Sequence, residues 1–254
     1  MIVSSMLYSE VYDHIAEDFK KVEIREQYLL PKAIKEFQKE TKFPAWRCYD
    51  YKSSTGNKYV IFFYVESRCC INKPLVDHFC VFTETSGKIL YVQCLLGGYK
   101  QTEDSPIELI RQIHMFPLHF FQRYNERFWK NETLTRKDLA CLYFARNRDL
   151  MPIKINEHIN KNIEKYGDHG RYGCRVRDGF CFSMCDEEPY QDYDLTKYKT
   201  RAMKVVFTTF MNESELEKGQ VSAINEEQKL IKKQFQQDLD KMYKAGNNKI
   251  KIVK

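Results

Sequence analysis

Glycine and proline are scarce in this chain, with only 10 Gly and 7 Pro in 254 residues. Aromatic residues are instead abundant, with 17 Tyr and 17 Phe, and 43% of all residues are hydrophobic. This composition excludes an intrinsically disordered chain and a loop-rich disulfide scaffold, because the apolar residues suffice for a real core. The length suits one large domain or two small ones.

The usual cysteine motifs for metal binding are absent. Nine cysteines are present, an odd number, and none of them forms a Cys-x-x-Cys pair. Cys181 and Cys185 are four residues apart, but they lie in a strand-like run that does not converge them as a zinc finger does. We therefore predict no metal site and free thiols in a reducing cytoplasm.

Long apolar runs and phosphate-binding loops are also missing. No stretch approaches 18 apolar residues, and the N-terminus lacks a basic segment followed by an apolar one. We therefore expect no membrane partner, no signal peptide and a cytoplasmic location. No Walker loop, Gly-x-Gly-x-x-Gly or Gly-x-Ser-x-Gly occurs, so we predict no cofactor. The formal net charge of +6 suits an anionic partner.

The hydrophobic pattern of the first half predicts two helices and two β-hairpins. The second helix is expected to begin near Pro31, and the hairpins lie between about 45 and 96. The run Ser105-Pro106-Ile107-Glu108 carries three helix-start signals and predicts a helix there. Pro117 is expected to kink that helix or to begin a new one.

The second half predicts helices around a few strands. Thr135 is expected to cap one helix, and a short helix is expected from about 155 to 165. A hairpin turns at Asp178-Gly179, and a strand covers 202–210. A long C-terminal helix is expected from about 213 to 245.

These elements together predict an α+β fold, with mostly antiparallel sheet or sheets, flanking helices and a long C-terminal helix. The best boundary lies at Gly97 to Asp104. It divides the chain into an N-terminal unit over 1–104, with helices and two hairpins, and a helix-rich α+β unit over 105–254. Strands occur on both sides, so the two halves could also share one sheet.

Three side chains recur at every fourth residue: His119, Arg123 and Arg127. On a helix they form one stripe, and Glu126 falls close to it. An imidazole titrates near neutral pH, and a guanidinium group can donate two hydrogen bonds to phosphate oxygens. The three side chains therefore suit RNA cleavage without a metal. Glu126 could act as base or orient Arg123. The alternative is an ordinary solvent-exposed helix face.

A second basic group lies on the C-terminal strands. Arg175 and Arg177 are two residues apart and would share one face of a strand. With Lys204, and with Tyr172 as a stacking residue, they could bind RNA. The alternatives are the solvated side of a half-buried sheet and a tyrosine of the core.

The pattern of His119, Arg123 and Arg127 on a helix, followed by short strands, resembles the BrnT and RelE-type toxin ribonucleases. The later run from Cys174 to Phe180 and the strand from Lys204 to Phe210 are similar to the C-terminal strands of that family. The resemblance covers about residues 117–210. It implies a compact α+β domain that cuts RNA without a metal and is held inactive by a partner antitoxin.

The sequence thus leads to two functional hypotheses. In the first, the protein is a metal-independent toxin-type endoribonuclease or an RNA-binding relative, and residues 1–104 form a regulatory or partner-binding module. His119 would then be the acid or base, while Arg123 and Arg127 would hold the phosphate. In the second, the protein is a non-catalytic cytoplasmic interaction or scaffold protein, and His119 makes only a local hydrogen bond.

Overall fold

The computed structural model describes residues 1–99, 107–153, 172–188 and 198–215, together with Lys229 and Lys233. Nine strands form one sheet in the order β1-β2-β3-β4-β5-β9-β8-β7-β6. They are β1 Ala45–Lys52, β2 Lys58–Val65, β3 Leu75–Thr83, β4 Ile89–Tyr99, β5 Ile107–Pro117, β6 Met151–Ile153, β7 Tyr172–Val176, β8 Gly179–Glu187 and β9 Tyr198–Met211. Within the four described ranges, the α-helices are α1 Tyr8–Phe37, α2 Leu118–Tyr124 and α3 Arg136–Arg146; a π-helical turn, Asn125–Trp129, follows α2.

Helices cover both faces of the sheet over β1 to β5 and β9, which makes three layers there. In β2, the even-numbered Val60 and Phe62 pack with α2 and α3, whereas the odd-numbered Ile61 and Phe63 pack with α1. β2 is therefore buried along all but its first residue. Its continuous apolar run, without alternation, is the pattern expected of a strand covered on both sides.

One parallel pair, β5 with β9, lies in the middle of the sheet, and the other neighbouring strands are antiparallel. β4 and β5, which stand on either side of the predicted boundary at 97–104, are hydrogen-bonded neighbours with Tyr99 opposite Glu108. The boundary therefore lies between two adjacent strands of one sheet.

The predicted fold class was wrong. A single mixed sheet replaces the mostly antiparallel sheet or sheets, and the long helix is α1 at the N-terminus. After β9, the continuous run of described residues ends in the 3-10 turn Glu213–Glu215; beyond it only Lys229 and Lys233 are described, both helical, and no long C-terminal helix is present among the described residues. Most of the helix predicted over 213–245 lies outside the described residues, as does the one predicted over 155–165.

The two predicted N-terminal helices are one, because Pro31 lies inside α1. A proline inside a helix removes a backbone hydrogen bond and crowds the preceding turn. Buried side chains hold the helix to the sheet on both sides of it, with Leu29 before the proline and Ala33 and Phe37 after it. The packing of α1 on the sheet thus outweighs the cost of a proline inside the helix.

The helix predicted from Ser105-Pro106-Ile107-Glu108 was also wrong, because Ile107–Pro117 forms β5. This strand is paired along both edges, with β4 and with β9. Its Ile113 packs on the α1 side and its Phe116 on the opposite side. Two ladders of backbone hydrogen bonds and burial on both faces therefore outweigh the local capping signals.

Several local predictions are confirmed. The two hairpins before residue 96 are β1–β2 and β3–β4, and α2 begins directly after Pro117. The Thr135 side chain accepts a hydrogen bond from the Asp138 backbone and caps α3. The turn at Asp178-Gly179 joins β7 to β8, and the strand predicted over 202–210 belongs to β9.

Candidate functional site

The predicted stripe lies on the outer side of α2 and the turn after it. The aromatic side chains Phe120, Phe121 and Tyr124 are fully buried, whereas His119 and Arg123 are exposed. Arg127 lies in the π-helical turn Asn125–Trp129, whose wider repeat removes it from the regular spacing of an α-helix. The three residues therefore do not form one straight α-helical stripe.

Two of the stripe residues hydrogen-bond to the backbone of β9. β9 pairs with β5 only as far as Val206, and α2 packs beside the continuation of β9. There His119 Nε2 lies 3.1 Å from the Thr208 carbonyl oxygen, and the Arg127 guanidinium donates to the Phe210 carbonyl. These side chains thus donate to β9 carbonyl groups where no neighbouring strand pairs with them, since β5 pairs with β9 only as far as Val206.

This arrangement limits the chemistry available to the stripe. A carbonyl oxygen only accepts hydrogen bonds, so His119 Nε2 carries the proton and only Nδ1 remains as an acceptor. Arg127 also pairs with Glu215, with Nε 3.3 Å from the carboxylate oxygen. Arg123 pairs with Glu126 at 2.9 Å, and both side chains are more than half exposed. Arg123 is therefore the stripe cation that could most easily turn to a ligand.

The second basic group is dispersed and each of its cations has a carboxylate partner. Arg175 lies 3.6 Å from Glu213, in the same 3-10 turn that holds the partner of Arg127. Arg177 pairs with Glu66. The structure therefore brings Arg175 towards Arg127, but Arg177 contacts the end of β2 instead.

Lys204 and Tyr172, the other two residues of this basic group, differ from the two arginines in their surroundings. Lys204 stands over the ring of Tyr8 in α1 and 3.6 Å from Asp186, so it is on the α1 side of the sheet. The Tyr172 side chain is 52% exposed and is not a core residue. Carboxylates next to Arg175, Arg177 and Lys204 reduce the positive charge that a phosphate backbone would meet.

The structure contains a cleft that sequence reasoning missed. β3 and β4 pair only from Cys80 to Thr83, opposite Ile89–Val92. On the N-terminal side of Cys80, β3 continues with β2, while beyond Val92 β4 continues with β5. The two strands thus diverge within one sheet, and a cavity of about 400 Å³ lies at the split. We call it the β3–β4 cleft.

Polar side chains from three strands and from the end of α3 line the β3–β4 cleft. Gln93 and His114 stand directly opposite each other on β4 and β5. The Gln93 amide donates across the split to the His78 carbonyl oxygen at 3.4 Å. Asp77 lines the cleft from β3, and Arg148 lines it beyond the end of α3. Aromatic rings complete the wall: Phe19, Phe116, Tyr143 and Phe144.

Burial shifts the pKa values of His114 and Asp77 in the lining of the cleft. It lowers the pKa of His114 to about 4, so the imidazole is neutral at physiological pH. Its Nε2 donates to Gln112 Oε1 at 3.0 Å, which leaves Nδ1 as an acceptor. Burial also raises the pKa of Asp77, although the His78 backbone N–H and Arg148 act in the opposite direction. The acceptors in the lining of the β3–β4 cleft therefore include a neutral imidazole and the carboxyl of Asp77.

Across the described ranges, no three side chains of His, Cys, Asp or Glu are grouped so that they could hold a metal ion. The helices in these ranges also include none with the length and apolar character needed to cross a membrane.

Comparisons with protein-family models, with curated proteins and with solved structures find no match for this chain. The resemblance of residues 117–210 to the BrnT and RelE-type ribonucleases therefore stays a prediction, and so do the site roles of His119, Arg123, Glu126 and Arg127.

Proposed function

We propose that the protein binds a small organic molecule in the β3–β4 cleft. The observation that carries this proposal is the separation of β3 from β4 inside a sheet covered on both faces. Unpaired backbone inside a protein costs free energy, so a split of this kind needs compensation. A bound ligand would supply it, and a cavity of about 400 Å³ is in the usual range for ligand pockets.

The lining favours a ligand that donates hydrogen bonds and carries an aromatic ring. Two carboxylates, Glu23 and Asp77, face one guanidinium, that of Arg148, while His114 is neutral. A cationic amine or amidine would pair with the Asp77 carboxylate and offset the cost of its burial. The aromatic wall would pack against the ring.

Calorimetric titration with benzamidine, an aromatic amidine, tests this proposal. We expect benzamidine to bind the wild type and to bind the Asp77→Asn variant at least about tenfold more weakly, because the charge-assisted hydrogen bond is lost. Asp50→Asn is the matched control, since Asp50 pairs with Lys137 on the surface outside the cleft. Equal affinity of wild type and Asp77→Asn, or a preference for benzoate over benzamidine, would show the proposal to be wrong.

Metal-independent cleavage or binding of RNA by the stripe is a second candidate function. It is favoured by the exposure of His119 and Arg123 on the same short helix. Removal of Arg127 could abolish activity through the fold, because Arg127 holds β9. Arg123→Ala is therefore the informative variant.

The RNA assay compares wild type, Arg123→Ala and Glu126→Gln on total RNA in excess EDTA. Cleavage that is lost in Arg123→Ala would support the nuclease. Cleavage that persists unchanged in Arg123→Ala would remove Arg123 from the site. No cleavage by any protein would favour the non-catalytic interaction protein over the nuclease.

A further inference from the structure

Edge strand β1 is fastened to α3 by side chains of its even-numbered residues. Trp46 Nε1 donates to Asp138 Oδ1 at 2.8 Å. Four residues further along β1, the carboxylate of Asp50 lies 2.9 Å from Lys137 Nζ of α3. These contacts fix both the direction and the distance of β1 relative to α3.

Two thiols meet between these contacts. Cys48 Sγ of β1 lies 2.8 Å from Cys141 Sγ of α3, and both cysteines are free. This is closer than two sulfur atoms approach in ordinary packing. Cys141 is fully buried, whereas Cys48 is partly exposed. One thiol is therefore open to a reagent, and the other lies behind it.

We propose that Cys48 and Cys141 form a reversible disulfide that locks the edge strand β1 to α3. The oxidant is a low-molecular-weight disulfide. The Cys48 thiolate attacks it, forming a mixed disulfide and releasing one small thiol. The Cys141 thiolate then attacks the Cys48 sulfur, closes the protein disulfide and releases the second small thiol. Two protein thiols are oxidised and one small disulfide is reduced to two thiols, so electrons and protons balance.

The surroundings predict that the second step is slow. Burial raises the pKa of the Cys141 thiol, so little thiolate is present at neutral pH. Closure should therefore accelerate as the pH rises. The bond would close a loop that contains β2 to β5 and α2, which restricts the unfolded chain and raises thermal stability.

A second close cysteine pair supplies a control. Cys69 and Cys70 are sequence neighbours in an exposed 3-10 turn, and their sulfur atoms are 3.8 Å apart. A bond between them would close no loop of the fold. Cys69→Ser should therefore remove any reaction at this turn and leave the Cys48–Cys141 bond intact.

The test is peptide mapping by mass spectrometry under non-reducing conditions, after the full chain has been incubated with glutathione disulfide. We expect a cross-linked Cys48–Cys141 peptide and a rise in Tm of about 5 to 10 °C, both reversed by dithiothreitol. Cys69→Ser should keep the rise in Tm, and Cys48→Ser and Cys48→Ala should lose it. A glutathione adduct on Cys48 without a cross-link, or no modification of Cys48, would overturn the proposal.

Discussion

The stripe on α2 and the β3–β4 cleft contain similar residue types in opposite situations. In the stripe, His119 and Arg127 already donate to carbonyl groups of β9. In the β3–β4 cleft, His114 and Asp77 line an open volume of about 400 Å³, and His114 Nδ1 is not used by the bond that Nε2 makes to Gln112. A sequence pattern of functional residue types therefore does not show whether those side chains are free to bind a ligand. Their hydrogen-bond partners in the fold determine this.

The largest effect that we expect is on the pH dependence of the free energy of unfolding, and it comes from His114 in the cleft. Its pKa is about 4 in the folded protein and 6.5 in the unfolded reference, so the unfolded chain binds more protons between these values. The contribution of the neutral imidazole is present above pH 6.5 and is lost as the pH falls to about 4. The loss should amount to roughly 3 kcal/mol in the free energy of unfolding.

Urea unfolding at pH 7 and at pH 4 measures this effect. Other groups titrate in the same range, so the difference between wild type and His114→Gln is the informative quantity. His119→Gln, at an exposed histidine, serves as the matched control for the substitution. If His114→Gln lost as much stability on acidification as the wild type, His114 would not be a buried neutral base.

The next effect compares two arginines of the stripe. Arg127→Ala should lower the free energy of unfolding by about 2 kcal/mol, because the Phe210 carbonyl and the Glu215 carboxylate lose their donor. Arg123→Ala should cost less than about 0.5 kcal/mol, since its pair with Glu126 is exposed. Urea unfolding of both variants at pH 7 checks this, and equal losses would contradict the structural role given to Arg127.

The smallest expected change in the free energy of unfolding is a gain, in contrast to the losses above, and it concerns Asp77. The pKa of Asp77 is raised in the folded protein, so the protonated carboxyl stabilises the folded state. This contribution is fully present below pH 3.8 and is lost as the pH rises through the folded pKa. At pH 7 the partly buried carboxylate is therefore destabilising. Asp77→Asn should increase the free energy of unfolding by up to about 1 kcal/mol, as replacements at functional sites often do.

The same urea measurement at pH 3 distinguishes this cause from a change in packing. The gain in Asp77→Asn should vanish there, because the wild-type carboxyl is then protonated. Asp50→Asn, at an exposed position, should gain nothing at pH 7. A gain in Asp77→Asn that was equal at both pH values would point to packing instead.

The parts of the fold that the sequence predicted well depend on near neighbours. The turn at Asp178-Gly179, the cap at Thr135 and the start of α2 after Pro117 are set by one or a few adjacent residues. β5 was mistaken for a helix because its strand character comes from pairing with β4 and β9. Neither partner is visible in the local pattern of Ile107–Pro117.

The candidate sites show the same limit. The spacing of His119, Arg123 and Arg127 is visible in the sequence, but the acceptors of His119 and Arg127 on β9 are 89 and 83 residues away. Asp77 and His78 are visible as neighbours, yet they gain Gln93 and His114 as companions only through strand register. The divergence of β3 from β4 has no sequence signal that we can identify.

Backbone amide NMR during a benzamidine titration tests the ligand-binding proposal most directly. We expect saturable shift changes at Asp77, Gln93, His114 and their strand neighbours, with the amides of α2 unchanged. Shift changes centred on His119 and Arg123, or no saturable change at the β3–β4 cleft at millimolar benzamidine, would contradict the proposal that the cleft is the binding site.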